Sequence, residues 1–160
     1  DAVQNVAERI NNDMQNEDLP VFLSVLNGAF MFTSDLMKYI KFDCLLSFVK
    51  LSSYDGLSSQ GKVKELIGLN YELKDKTVII LEDIVDTGVT VEHLIGAVSQ
   101  YNPKQLKIAT MLFKPEVYSK DVKLDYTGIR IPNDFIVGYG LDYNGLGRNY
   151  PEIYKIVNNN

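Results

Sequence analysis

The chain has 160 residues, a formal net charge of −5, 46% apolar and 23% charged residues, and one cysteine. These values are ordinary for a single globular domain, and no apolar run approaches the roughly 20 residues that span a bilayer. The acidic balance opposes a nucleic-acid surface, which needs clustered Lys and Arg. Cys44 cannot form an internal disulfide, so we expect a cytoplasmic protein. We expect neither a membrane nor a nucleic acid as its partner.

The first predicted elements are a helix followed by a strand, a turn and a second helix. Apolar residues at helical spacing predict a short amphipathic helix over residues 3–10. The apolar run 20–26 predicts a buried strand that ends in Asn27-Gly28, after which a helical pattern resumes at Ala29. Residues 43–51 predict another strand, with Cys44 in its interior.

The middle and the end of the chain continue this alternation. Residues 52–63 are mostly small and polar, which predicts a mobile loop, and 62–69 predict an edge strand or hairpin arm. Three further strands are predicted at 77–81, 106–113 and 135–143, and a helix follows the first of them. The alternation of strands and helices predicts a parallel, doubly wound sheet.

The segment 78–90 changes abruptly from aliphatic to acidic and hydroxyl residues. Glu82 and Asp83 cannot stay ionised deep in a sheet without a heavy desolvation cost, so we expect them at the carboxyl end of the strand. Adjacent carboxylates can accept hydrogen bonds from a ribose diol, or help to hold Mg²⁺ through its water shell. The alternative is a solvated acidic turn.

The residues after Asp86 open the next predicted helix. A helix start offers free backbone amides, and Gly88 removes steric bulk, so a phosphate monoester would fit here. The alternative is that Asp86 or Thr87 only caps the helix. A phosphate site next to a diol site indicates a phosphorylated ribose as ligand.

The run 78–90 resembles the phosphoribosyl pyrophosphate motif of the type I phosphoribosyltransferases. Other segments narrow the resemblance to the hypoxanthine-guanine branch, and they occur in the expected order along the chain. Leu26-Asn27-Gly28 looks like the pyrophosphate loop of that branch, Ser53-Tyr54 like the start of its mobile catalytic loop, Phe113-Lys114-Pro115 like its purine-recognition segment, and residues 135–143 with Arg148 like its base-binding hood.

The resemblance implies a fold and a reaction. The fold would be α/β, with a doubly wound, mostly parallel sheet, flanking helices and a small hood from the N- and C-terminal segments. Residues 1–160 would form one domain with its core at about 15–130. The reaction would transfer the 5-phosphoribosyl group of phosphoribosyl pyrophosphate to N9 of hypoxanthine or guanine, giving IMP or GMP and pyrophosphate, with Mg²⁺ as cofactor and in a homodimer or homotetramer.

The resemblance also implies a role for each candidate residue. Asp86 would be catalytic, sharing the proton at N7 of the base, and a non-proline cis peptide bond is expected in the pyrophosphate loop. The other assignments are Glu82, Asp83, Asp86, Thr87, Gly88, Val89 and Thr90 for ribose and phosphate; Leu26, Asn27, Gly28 and Arg148 for pyrophosphate; Lys114, Phe135, Ile136 and Asp142 for the purine; Ser53 and Tyr54 for the mobile loop; and Glu82, Asp83 and Asp142 for the metal, directly or through water.

Several alternatives remain open at this point. Lys114 could be a solvated lysine at a strand end, Phe135 an ordinary core residue, and Arg148 the partner of a surface acid. Asn27 departs from the Lys or Arg that many relatives carry, and Val89 from a polar or basic residue. A regulatory protein that senses phosphoribosyl pyrophosphate and binds nucleic acid is opposed by the acidic composition. Among transferases for other bases, adenine is opposed by Lys114, which carries only donors, and xanthine is less firmly excluded.

Overall fold

The computed structural model describes residues 1–51 and 66–157. The expected loop residues Ser53 and Tyr54 lie outside these ranges. The elements are α1 (Ala2–Asp13), β1 (Val21–Val25), α2 (Phe30–Met37), β2 (Leu45–Leu51), β3 (Leu66–Ile67), β4 (Thr77–Val85), α3 (Val89–Ser99), β5 (Gln105–Phe113), β6 (Tyr126–Arg130), β7 (Ile136–Val137) and β8 (Tyr154–Lys155). Within the described ranges, no helix is both long and apolar enough to span a membrane.

The main sheet has six strands in the order β3-β2-β1-β4-β5-β6. Each neighbouring pair from β2 to β6 is parallel, whereas β3 runs antiparallel to β2 at the edge. The mostly parallel, doubly wound sheet is therefore confirmed. After β1 the chain passes to β2 on one side, and β4 lies on the other side. The gap between the carboxyl ends of β1 and β4 is thus the topological switch point, where open α/β sheets bind ligands.

Two apolar layers cover the faces of this sheet, which explains why β1 and β4 are continuous apolar runs. Helices α1 and α2 cover one face, where Phe22, Ile79 and Leu81 are fully buried. Helix α3 packs on the other face over Val78 and Ile80. Helix α1 belongs to the first layer, with Val6, Ala7 and Ile10 buried against the sheet.

The position of α1 differs from the expectation that the N-terminal segment contributes to the hood. Its apolar stripe is buried against the main sheet, and its closest sheet neighbour is β6. The hood consists of residues 135–157, in which β7 and β8 pair antiparallel as a separate two-stranded sheet. The core of the main domain therefore begins before residue 15.

The predicted strand 135–143 is much shorter in the structure. Only Ile136–Val137 are extended, because Gly138, Tyr139 and Gly140 all have positive φ values of +100°, +52° and +97° and turn the chain. Strand β4 is longer than predicted and continues through Glu82 to Val85, since these residues still pair with β5.

Two short strands and the position of the cysteine were not anticipated. Strand β6 and strand β8 carry no clear periodic signal in the sequence. Cys44 precedes β2 instead of lying inside it and is half-buried, and burial raises the pKa of its thiol.

Candidate functional site

The loops that follow β1 and β4 face each other at the switch point. Loop 26–28 lies between β1 and α2. The acidic turn, residues 82–86, comprises the last four residues of β4 and the first residue of the connection to α3. Together they line a cavity of about 280 Å³. Its lining residues are Val25, Leu26, Gly28, Glu82, Asp83, Ile84, Asp86 and Thr90. The structure thus places loop 26–28, predicted to bind pyrophosphate, and the segment 82–90, predicted to bind ribose and phosphate, around one cavity.

Loop 26–28 has the backbone form that the resemblance implied, because the Leu26–Asn27 peptide bond is cis. Gly28 is buried against Asp83, and a Cβ atom on Gly28 would overlap the carboxylate of Asp83. A side chain at this position would therefore force either the loop or the Asp83 carboxylate to move. Asn27 is exposed, so its side chain faces the solvent side of the loop.

Two of the three acids of the turn, Glu82 and Asp83, lie in a poorly solvated environment. Glu82 is only 5% exposed, and its Oε1 has no hydrogen-bond partner among the described residues. Burial raises the pKa of Glu82 well above its ordinary value of 4.5, and the nearby charges of Asp83 and Asp86 raise it further. An unpartnered buried carboxyl of this kind is suited to a ligand that brings hydroxyl donors or a cation.

Asp83 is also perturbed by its surroundings. Burial is the main cause that raises its pKa, and the N–H group of Ile84, which donates to Oδ1 at 2.9 Å, opposes that rise. The charge of Arg148 lowers the pKa and that of Asp142 raises it, so these two hood residues act on the acidic turn across the cavity.

Asp86 and the start of α3 form the rim of the cavity. The Asp86 Oδ1 atom accepts the N–H of Thr87 at 2.5 Å and the Thr87 hydroxyl at 3.3 Å. The N-cap of α3 is Gly88, with φ of +85°, and no side chain forms a capping hydrogen bond there. The capping interpretation of Asp86 or Thr87 is therefore wrong. The first amides of α3 stay available, and Val89 and Thr90 in this turn are exposed.

Lys114 starts the loop after β5, beside the acidic turn. Its N–H donates to the carbonyl of Val85 at 2.9 Å, which fixes the lysine backbone to the end of β4. The residue is half-buried, in contrast to the solvated strand-end alternative.

The aromatic residue of the hood lies at the surface. Phe135 is 56% exposed and meets Tyr143 edge-to-face, with ring centroids 5.5 Å apart. The core interpretation of Phe135 is therefore wrong, and its exposed ring can stack on a planar ligand. Ile136 follows it in β7 and is half-buried.

Arg148 forms an ion pair with Asp142, and its Nη1 donates to the carbonyl of Gly140 at 2.7 Å. The other oxygen of Asp142 accepts the N–H of Gly145 at 2.7 Å. Arg148 also lines a second cavity, of about 430 Å³, together with Leu26 and Asn27. The arginine thus faces loop 26–28 across the second cavity. Its ion-pair partner, Asp142, is a half-buried residue of the hood, in contrast to the alternative of an acid elsewhere on the surface.

The described residues contain no group of three or more His, Cys, Asp or Glu side chains able to hold a metal ion. Glu82, Asp83 and Asp142 therefore do not form a complete protein cage. Mg²⁺ commonly binds through one or two carboxylates plus the phosphates of a substrate, and the unpartnered carboxyl of Glu82 beside Asp83 suits that mode. The donor set thus fits a magnesium ion that arrives with a phosphorylated ligand.

Sequence reasoning missed some residues of the two cavities. Ile84 is half-buried within the acidic turn and lines the first cavity, and Phe30 and Leu146 line the second. The one apolar residue inside an acidic run was a signal for Ile84. His93 is an exposed residue of α3.

Comparison with known proteins gives a consistent result. The model of the phosphoribosyl transferase domain matches residues 1–144. The hypoxanthine phosphoribosyltransferase of Buchnera aphidicola is 37% identical over 97% of this chain and 89% of its own length. The hypoxanthine-guanine phosphoribosyltransferase of Aquifex aeolicus is 34% identical over 96% of this chain and 87% of its own length.

Solved structures agree with these sequence matches. A hypoxanthine-guanine phosphoribosyltransferase of Bacillus anthracis, with a HEPES molecule in its active site, superposes with a TM-score of 0.86 and 38% identity, covering 98% of this chain and 92% of that one. A variant of the Trypanosoma cruzi hypoxanthine phosphoribosyltransferase in complex with IMP gives a TM-score of 0.87 at 32% identity, covering 98% and 84% of the two chains.

Proposed function

The chain belongs to the phosphoribosyltransferase family, within its hypoxanthine-guanine branch, and we propose that it acts in purine salvage. It transfers the 5-phosphoribosyl group from phosphoribosyl pyrophosphate to N9 of hypoxanthine, and also of guanine, releasing pyrophosphate and IMP or GMP. The observation that carries this proposal is the cavity at the switch point, where loop 26–28, the acidic turn and the start of α3 line one space.

The ribose of the substrate occupies the acidic turn. In such a transfer the ribose gains positive charge as the bond to pyrophosphate breaks, so nearby negative groups stabilise the transition state. Glu82 and Asp83 accept hydrogen bonds from the 2′ and 3′ hydroxyls. The unpartnered Oε1 of Glu82 supports this role, because a ribose hydroxyl would supply the donor that the protein itself does not.

The 5′-phosphate binds at the start of α3, in residues 87–90. The uncapped amides and the positive end of the helix dipole bind an anion there, and the hydroxyls of Thr87 and Thr90 add donors. Val89 brings no polar group, and we expect little loss from it because the amides do most of the binding.

Asp86 acts as the general base. Its carboxylate is exposed at the rim of the cavity, between the ribose site and the loop that begins at Lys114. From there it accepts or shares the proton at N7 of the purine while N9 attacks the anomeric carbon.

The pyrophosphate group binds between loop 26–28 and Arg148. The backbone of Leu26, Asn27 and Gly28 contributes amide donors, and Arg148 contributes a cation from the opposite wall of the second cavity. Asn27 supplies no charge here, so we expect this chain to depend strongly on Mg²⁺. When bound, Mg²⁺ neutralises charge on the leaving group, and Glu82, Asp83 and Asp142 would hold it directly or through water.

Lys114, Phe135, Ile136 and Asp142 form the purine site. Lys114 has only donors, so it pairs with the 6-oxo group of hypoxanthine or guanine and opposes the 6-amino group of adenine. Phe135 stacks on the ring from its exposed position, and main-chain groups near Ile136 and Asp142 bind the other edge. The resemblance assigns Ser53 and Tyr54, which lie outside the described residues, to a loop that excludes water from the reaction.

The test is a panel of four bases with purified protein. Hypoxanthine, guanine, xanthine and adenine are each mixed with phosphoribosyl pyrophosphate and Mg²⁺, and the nucleotide product is separated and measured. We expect IMP and GMP, no AMP, and loss of product after chelation that added Mg²⁺ restores. Absence of product with every base contradicts the proposal, and XMP as the main product favours a xanthine-preferring transferase.

The same purified protein tests the alternative, a regulatory protein that senses phosphoribosyl pyrophosphate and binds nucleic acid. It predicts binding of phosphoribosyl pyrophosphate without turnover, together with a salt-dependent gel shift of DNA or RNA. The net charge of −5 opposes the second property.

We also propose a cytoplasmic homodimer or homotetramer. Exposed large apolar side chains outside the two cavities support association of copies, among them Phe48 at 42% and Tyr101 at 40% exposure. The lone Cys44 suits a reducing compartment. Light scattering coupled to size-exclusion chromatography tests the assembly, and a monomer at all concentrations contradicts it.

A further inference from the structure

A hydrogen bond joins the hood to helix α2, and none of the roles above uses it. The Tyr139 hydroxyl donates to Oδ2 of Asp35 at 2.7 Å, although the two residues lie 104 positions apart in the chain. The other oxygen of Asp35 accepts Nζ of Lys38 at 2.7 Å. The hydrogen bond from Lys38 lowers the pKa of Asp35 most, and the bond from Tyr139 lowers it further. The carboxylate is therefore ionised at neutral pH and accepts both bonds.

The backbone of Tyr139 is held in an unusual conformation. Its φ is +52°, in the left-handed region that tyrosine rarely adopts, and it lies between Gly138 and Gly140, which also have positive φ. Such a conformation persists where surrounding contacts hold it. Burial, and the bond to Asp35, raise the pKa of the Tyr139 hydroxyl, which therefore stays a donor across the working pH range.

Asp35 is rigidly connected to loop 26–28. Helix α2 begins at Phe30, directly after the loop, and the hydroxyls of Ser24 and Thr33 form a buried hydrogen bond of 2.7 Å that ties α2 to β1. A group bound to Asp35 is thus fixed relative to the loop.

Tyr139 is equally well connected to Arg148. The next residue, Gly140, donates its N–H to the carbonyl of Arg148 at 3.0 Å and accepts Nη1 of Arg148 at 2.7 Å. Gly140 also packs against the carbonyl oxygen of Gly28, so closely that a Cβ atom on Gly140 would overlap it. The turn 138–140 is therefore where the hood touches loop 26–28.

We propose that Tyr139 is a positioning residue for the pyrophosphate site. By donating to Asp35 it fixes the turn 138–140 against loop 26–28, and through Gly140 it sets the distance from that loop to Arg148. This inference rests on the proposed function, in which loop 26–28 and Arg148 bind the two sides of the pyrophosphate group. It predicts that loss of the hydroxyl weakens binding of phosphoribosyl pyrophosphate more than binding of the purine.

The variant Tyr139→Phe tests the proposal, and Tyr126→Phe is a matched control. Tyr126 donates to Oδ2 of Asp13 at the same distance of 2.7 Å, but it joins β6 to α1, away from both cavities. We expect Tyr139→Phe to raise KM for phosphoribosyl pyrophosphate about tenfold, which equals ~1.4 kcal/mol. KM for hypoxanthine should change by about twofold or less. Tyr126→Phe should lower Tm and leave both KM values unchanged.

Amide hydrogen exchange supplies a readout that does not depend on turnover. In the ligand-free protein, the Gly140 amide should exchange faster in Tyr139→Phe than in the wild type, and equally fast in Tyr126→Phe and the wild type. With an active wild type, an unchanged KM for phosphoribosyl pyrophosphate in Tyr139→Phe overturns the proposal, whatever the exchange result.

An inactive wild type would be the failure of the proposed function and not of this inference. Affinity for inorganic pyrophosphate with Mg²⁺, measured by calorimetry, then replaces KM. Weaker binding in Tyr139→Phe than in Tyr126→Phe supports the positioning role, and equal binding in all three proteins overturns it.

Discussion

Gly28 packs directly against the carboxylate of Asp83, and the space between them is too small for a side chain. This contact joins loop 26–28 to the acidic turn across the switch point. It places the backbone proposed to bind pyrophosphate beside a carboxylate proposed to bind ribose, as a single substrate that contains both groups would require.

Gly28→Ala is therefore expected to abolish transferase activity. The new Cβ would overlap Asp83, so either the loop or the carboxylate must move out of its binding position. Steady-state kinetics measures the loss, and circular dichroism checks that the variant folds.

Gly96→Ala is the matched control for that change. Gly96 lies inside α3, and a Cβ atom there meets no other atom within 4 Å. We expect unchanged activity and a gain in the free energy of unfolding of ~0.5–1 kcal/mol, since alanine favours a helix over glycine. Equal activity in the two alanine variants would contradict the steric argument.

Asp86→Asn should lower kcat by about 10²- to 10⁴-fold, because the amide cannot take the N7 proton. KM for both substrates should change little, since asparagine keeps a similar shape at the rim of the cavity. Asp18→Asn serves as control, because Asp18 is exposed and precedes β1, at the opposite end of that strand from loop 26–28. A drop of similar size in kcat and in substrate affinity would argue against a role as base.

Lys114→Met should reduce kcat/KM for hypoxanthine about 10- to 100-fold, because a hydrogen bond to a charged donor contributes ~1.5–3 kcal/mol. The preference for hypoxanthine over adenine should fall with it. Lys123→Met removes an 83% exposed lysine and should have no effect on either base. An unchanged preference in Lys114→Met would exclude this lysine from base selection.

The ligand-free protein should lose stability as the pH rises from about 4.5. The pKa of Glu82 in the folded state lies above its ordinary value of 4.5. At pH values between these two pKa values, the folded protein therefore binds more protons than the unfolded chain. The free energy of unfolding therefore falls across that window. Asp13, Glu17 and Asp35 have lowered pKa values, so each contributes a rise in stability with pH. That rise is nearly complete about one pH unit above 4.5, the ordinary pKa of Glu17.

Glu82→Gln should flatten this dependence and raise stability at neutral pH, because the amide cannot ionise in the buried site. Some slope should remain, since the pKa of Asp83 is also raised. Urea unfolding between pH 5 and 8 measures it, with the exposed Glu116→Gln as control. An identical slope in Glu82→Gln and the wild type would show that Glu82 ionises as easily in the folded as in the unfolded chain.

Much of the site was predictable because its parts are local. The continuous apolar runs identified β1, β4 and β5, although β4 continues past the abrupt change after Leu81 to Val85. The glycines at 28 and 88 marked the two turns. These signals depend on neighbours within a few residues, which is the range over which periodicity and turn preferences act.

The hood was less predictable. The apolar residues of the segment 135–143 predict one strand. In the structure the strand ends after Val137, because the next three residues all have positive φ values. Gly138 and Gly140 permit this turn, but a glycine in an apolar run does not reveal that Tyr139 also adopts the left-handed region.

The sequence by itself determined the alternating α/β elements, the acidic residues after the apolar run of β4, and the start of α3 after Gly88, because each is encoded by adjacent residues. Only the tertiary structure decided that Gly28 meets Asp83, that Tyr139 binds Asp35 and that Arg148 faces loop 26–28. These contacts join residues far apart in the chain. Their geometry depends on the strand order that places β1 beside β4, and on the close approach of Gly140 in the hood to Gly28.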